Sequence, residues 1–96
     1  MIRTLGALDG VPRADVFPGE EPKTIKRTLP AGGSVPAHSH PGRHTALYLL
    51  EGRIELPLDD ETRDVSAGDV ARFEGERDVS TVALDDSVAL VVLAGR

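Results

Sequence analysis

All three histidines of this chain, His38, His40 and His44, fall within seven residues. Imidazole is the side chain that titrates near neutral pH and most often ligates metals. His38 and His40 stand two apart in a stretch restricted by Pro36 and Pro41, and in extended backbone such a pair projects from one face. Two neutral imidazoles side by side supply nitrogen donors to Zn, Ni, Cu, Mn or Fe. His44 shares their parity and joins them if the chain stays extended. Pro41 and Gly42 intervene, however, and one extra residue in a turn or bulge sends every later side chain to the other face. The expectation is a divalent metal (Zn, Ni, Mn or Fe) on His38, His40 and His44, bound more weakly as pH falls through the imidazole range near ~6.5. The alternative is a set of histidines hydrogen-bonded to each other, to water or to polar side chains, with His44 on the surface.

The elements that would position these groups are short β-rich runs separated by turn residues at about 8 to 12 residue spacing, the pattern of an all-β sandwich or barrel. Arg53 to Leu58 alternates strictly, with Ile54, Leu56 and Leu58 on one face, as a half-buried strand does. Thr45 to Leu50 and Val88 to Leu93 are apolar at nearly every position, which predicts central strands covered on both faces, with Leu90 and Val92 in the core. Thr24 to Leu29, Ser34 to Ala37, Asp69 to Phe73 and Val79 to Leu84 are further strands bounded by Gly, Pro or Asp. The first 20 residues, with Pro12, Pro18 and three glycines, read as an irregular arm carrying one edge strand near Ala14 to Phe17. Residues 21–96 then form one barrel domain, since closing the sheet removes exposed edges.

Ninety-six residues make one core and not two. A formal charge of -5 with acids and bases interspersed lacks the basic stripe of a nucleic-acid binder. Phe17, Phe73 and Tyr48 are the whole aromatic complement, which argues against a stacking surface for bases or sugars. The chain has no cysteine, so disulfides and thiolate metal sites are excluded. Its longest apolar run, Ala46 to Leu50, is far short of a membrane span, and its first residues lack the layout of a signal peptide. A cytoplasmic protein with a small-molecule ligand or substrate, and with neither nucleic-acid nor membrane partners, is expected.

Gly32, five residues, His38-x-His40, then Leu49-Leu50-Glu51-Gly52 resembles the first conserved motif of the cupins, and Thr45-x-x-Tyr48-x-Leu50-Glu51-Gly52 is similar to the pirin branch. Gly68-Asp69 through Val79 resembles the second cupin motif. The resemblance covers about Thr24 to Leu93 and implies a small single-domain cupin-type β-barrel, or jelly-roll. It implies a His pair facing into the barrel, with a glutamate from the first motif and a histidine from the second completing a metal site. Here those two positions hold Thr45 and Val79, and the family register puts Thr45 inside and His44 outside. A metal-dependent enzyme of dioxygenase or isomerase type is one implication. A metal-free degenerate cupin serving in small-ligand binding, sensing or dimerisation is the other. Apolar strands in so small a domain, and the dimers common among cupins, predict a homodimer.

Other charged residues have plainer readings. Arg43 is an anion contact at the mouth or an exposed loop arginine; Glu51 and Arg53 flank a turn; Arg72 and Glu74 pair across strands with Glu76, Arg77 and Asp78. Tyr48 packs in the core or at a subunit contact. Gly42, Gly52, Gly68 and Gly75 are turn positions needing positive φ.

Overall fold

The computed structural model describes residues 1–11, 13–38, 42–58, 61–74 and 79–95, and at 36–38, 58 and 79 the backbone alone. Among the described residues a single 3-10 turn at Leu5–Ala7 is followed by nine strands: β1 (Arg13–Asp15), β2 (Lys23–Leu29), β3 (Ser34–His38), β4 (Arg43–Glu51), β5 (Arg53–Leu58), β6 (Glu61–Ser66), β7 (Val70–Glu74), β8 (Val79–Ala83) and β9 (Ser87–Gly95). They form two antiparallel sheets, one in the order β1-β2-β9-β4-β7 and the other β3-β8-β5-β6, the all-β arrangement that the spacing of short strands predicts and the jelly-roll that the family resemblance implies. The 3-10 turn is tied to β2, where Lys26 Nζ donates to the carbonyls of Leu5 at 2.7 Å and Leu8 at 2.9 Å.

Strand β6 is absent from the sequence reading because it carries no alternation to read: of its six residues only Val65 is buried. It pairs with β5 at the edge of the small sheet, and its polar face is what an edge strand needs to avoid pairing with other chains. The apolar strands also differ from expectation. In β4, Thr45, Leu47 and Leu49 are buried while Ala46 and Tyr48 are exposed, so within the protomer this strand is covered on one face only. In β9 the buried residues are Ser87, Ala89 and Leu93, whereas Leu90 and Val92 are half-buried on the outer face. Apolar composition on both faces hid the parity that pairing with β2 and β4 enforces.

Between the sheets Leu29, Leu47, Leu49, Ile54, Leu56, Val65, Ala83 and Ala89 form one core, with Val35, Ala71, Phe73 and Val91 against it. Ile54 and Leu56 are buried as expected; the side chain of Leu58 lies outside the described residues. The end beneath this core is closed by tight turns. Gly52 adopts φ +88, and Ser87 Oγ beside it accepts from the Arg53 amide at 3.2 Å and donates to the Asp85 carbonyl at 2.7 Å. Gly42 and Gly68 also have positive φ, as turn glycines should; Gly75 lies outside the described residues.

A Cβ on Gly52 would collide with the Asp86 carbonyl and Ser87 Oγ, whereas one on Gly68, also at positive φ, would meet nothing. Backbone strain at such positions costs about 1–3 kcal/mol. Gly68→Ala is therefore expected to lower stability by about 1 kcal/mol and Gly52→Ala by clearly more, measured as urea midpoints of the two variants. Equal losses would mean that the turn around Gly52 relaxes freely.

Candidate functional site at one end of the barrel

Opposite the tight turns, the register brings together the start of β2, the start of β4 and the ends of β7 and β9. Lys23 pairs with Leu93, Leu93 with Thr45 and Thr45 with Phe73. These four make the outermost row of the concave face, because residues directly opposite in a ladder point the same way. Thr45 is 3% exposed, and its Oγ1 has no hydrogen-bond partner among the described residues. A buried hydroxyl left unpaired costs about 1–3 kcal/mol, so between Leu93 and Phe73 it is a group with unmet hydrogen-bonding capacity.

His44, one residue away, sits on the other face of β4 opposite Glu74. Its Nδ1 lies 2.9 Å from Glu74 Oε2 and 3.1 Å from an Arg72 Nη2. Nδ1 donates to the carboxylate in one tautomer and accepts from the guanidinium in the other. Arg72 also approaches Glu74 Oε1 at 3.6 Å. The register implied by the family resemblance, Thr45 inward and His44 outward, is the one observed. His38 ends β3, opposite Val79 and past a register shift after Val35. Its side chain, and the whole of His40, lie outside the described residues.

The metal site that the resemblance implies needs donors on the concave face. Thr45 offers a neutral hydroxyl there, valine at position 79 has no donor atom, and His44 is turned away. Among the described residues no group of three or more His, Cys, Asp or Glu lies together. Metals of this class take three or four protein ligands, and two of the candidate donors, the side chains of His38 and His40, lie outside the described residues; within the described set the Thr45 hydroxyl is the buried group left without a partner.

Arg43, read from sequence as a free mouth or loop cation, is committed elsewhere. Its guanidinium grips both carboxylate oxygens of Glu21, at 2.7 and 2.8 Å, and donates to the Leu93 carbonyl at 3.1 Å. Nothing in the sequence around Glu21 announces this partner, 22 positions away. The pair borders a cleft of about 310 Å³ whose lining includes Phe17, Glu20, Lys23 and Thr24, just inside the range of ligand-sized clefts. It also anchors the first residue of β4, immediately after the histidine segment.

The hydrogen bond from Arg43 holds the Glu21 carboxyl below its ordinary range, and the Arg43 charge adds to the effect. A carboxyl depressed in the folded state contributes stability that is present above its unfolded pKa and lost as pH falls through the folded value. Wild type is therefore expected to lose stability below about pH 4.5 more steeply than Glu21→Gln, measured by thermal unfolding across pH 3 to 7; parallel profiles would show that solvent screens the pair completely.

Comparison with known proteins agrees with this fold. The family profile of the cupin domain matches residues 26–94. Among solved structures, KdgF from Halomonas sp. is similar at 24% identity over 88% of this chain and 79% of its own, with a TM-score of 0.76. An RmlC-like cupin from Desulfovibrio desulfuricans aligns at 23% identity over 98% and 97%, TM-score 0.77. The Cupin_2 domain of an XRE family transcriptional regulator from Enterobacter cloacae aligns at 17% over 88% and 95%, TM-score 0.79. No curated protein matches the sequence.

Proposed function

We propose, from the premise that this chain belongs to the cupin domain family, that it is a small-molecule-binding or sensing domain whose ligand sits at the end of the barrel where β4 begins. The observation that carries this reading is the Thr45 hydroxyl, buried without a partner in a row with Leu93 and Phe73. One hydrogen-bonding group in an apolar wall is how ligand pockets orient what they bind. His38 and His40, two apart just before the mouth, serve here as further hydrogen-bonding groups. A cytoplasmic location is part of the proposal.

One observation favours a second reading, in which the barrel holds a divalent ion: His38-x-His40 occupies the place of a metal-binding motif. The two separate cleanly. Untagged protein dialysed against Zn, Ni, Mn or Fe(II) is expected to retain far less than one ion per chain. A ligand found by thermal-shift screening is expected to lose about ten-fold in affinity with Thr45→Val, the worth of one well-made hydrogen bond of about 1.4 kcal/mol. Stoichiometric metal, lost with His38→Ala or His40→Ala, would establish the metal site instead. If His44→Ala also released the ion, the outward position of that ring would be wrong.

We further propose a homodimer through the outer face of β9, β4 and β7, where Leu90, Tyr48 and Val70 form one row and Val92 and Ala46 the next. Val70 is 67% and Tyr48 39% exposed, a contiguous apolar surface of the kind that marks an interaction site. Light scattering at micromolar protein is expected to give twice the 10.2 kDa chain mass, falling to one chain in the Tyr48→Asp, Val70→Asp double variant. A monomer at every concentration would refute it.

A further inference from the structure

Strand β2 carries an arginine where its neighbours are core residues. Ile25 is 1% and Leu29 6% exposed, and alternation puts Arg27, between them, on the same concave face. Arg27 is half-buried, and its register partners are Ala89 on β9 and Arg13 on β1. Like charges directly opposite in a ladder are destabilising. The chain has 16 acids for 11 Lys and Arg, so carboxylates are plentiful, yet position 13 opposes arginine with arginine. Arg13 has a partner: its Nε and Nη2 donate to Asp15 Oδ1 at 3.3 and 3.1 Å. Arg27 has no hydrogen bond or ion pair among the described residues. Burial, and then the charge of Arg13, draw its guanidinium below the ordinary arginine range.

The geometry points to an oxyanion site between β1 and β2, in which a carboxylate or phosphate group of a small ligand takes the Arg27 fork and is shared with Arg13. The guanidinium matches such groups in shape and binds them through two parallel N–H donors. Asp15, on the same face, engages Arg13 through one oxygen along its Nε–Nη2 edge and leaves the other N–H groups of Arg13 available. An anion here would relieve both the like-charge pair and the partial desolvation of Arg27. The site lies four residues along β2 from Lys23, the member of the Thr45 row on that strand, so it stands or falls apart from the ligand reading at the mouth.

The test uses the full chain with inorganic phosphate and acetate as probes, at ionic strength held constant with NaCl. Wild type is expected to show a saturable rise in unfolding temperature beyond the NaCl control, as an anion bound only to the folded state requires. Losing a charge-assisted bidentate contact is expected to raise the apparent dissociation constant at least about ten-fold in Arg27→Met, with a smaller rise in Arg13→Met. Arg63→Met, which removes an exposed arginine paired with Glu61, should bind as wild type does. No saturable rise in wild type, or an undiminished rise in Arg27→Met, overturns the site. Amide shifts of wild type on phosphate titration keep the proposal testable if Arg27→Met fails to fold: changes centred on residues 13–15 and 25–27 support it, and changes confined elsewhere refute it. Saturation by phosphate but not acetate identifies a phosphate ligand, and saturation by both a general oxyanion.

Discussion

The placement of every group at this end of the barrel depends on the parity of β4, which is held from both sides. Thr45 pairs with Leu93 on β9 and with Phe73 on β7, so a one-residue slip would have to break two ladders at once. It would also carry Leu47 and Leu49 out of the core and Ala46 and Tyr48 into it. Burying a leucine is worth roughly 1.5–3 kcal/mol, so the register is fixed by the core below and imposed on the mouth above. His44 faces outward for that reason alone, whatever its own chemistry favours.

This explains which parts were legible in the sequence. Strand β5 was read with its observed bounds because Ile54, Leu56 and Leu58 alternate with polar or turn-forming neighbours. β4 and β9 were found as strands but not as faces, since a run apolar at every position carries no phase. The phase of β4 came instead from the spacing between the motif glycine at position 52 and Thr45, a constraint external to local pattern. The polar edge strand β6 and the Glu21 grip on Arg43 had no local signal: one lacks an apolar face, the other is a tertiary contact between an arm and a strand far apart in sequence. The three-histidine reading fell between these cases. Spacing alone made His44 a companion of His38 and His40, and only the ladder separates its face from that of Thr45.

Polar residues on the concave face are therefore informative, because most of that face is Leu, Ile, Val, Ala and Phe. Thr45 and Arg27 both stand in buried rows without partners among the described residues. They differ in what each could accept: a neutral hydroxyl donates or accepts one weak bond, whereas a guanidinium presents a fork of donors. The outer face of the same sheet shows the opposite economy, with its charges gathered at His44, Arg72 and Glu74 and its middle left apolar.

The identity of residue 45 has a further consequence for the concave face. A carboxylate at a position 3% exposed would be tolerable only with a cation beside it; without one, burial would push its pKa upward and favour the neutral acid. Threonine replaces that charge with a hydroxyl whose burial costs about 1–3 kcal/mol when unpaired, a penalty the fold can carry and a ligand can remove. Among the described residues, the hydroxyl left unsatisfied in this row is that of Thr45.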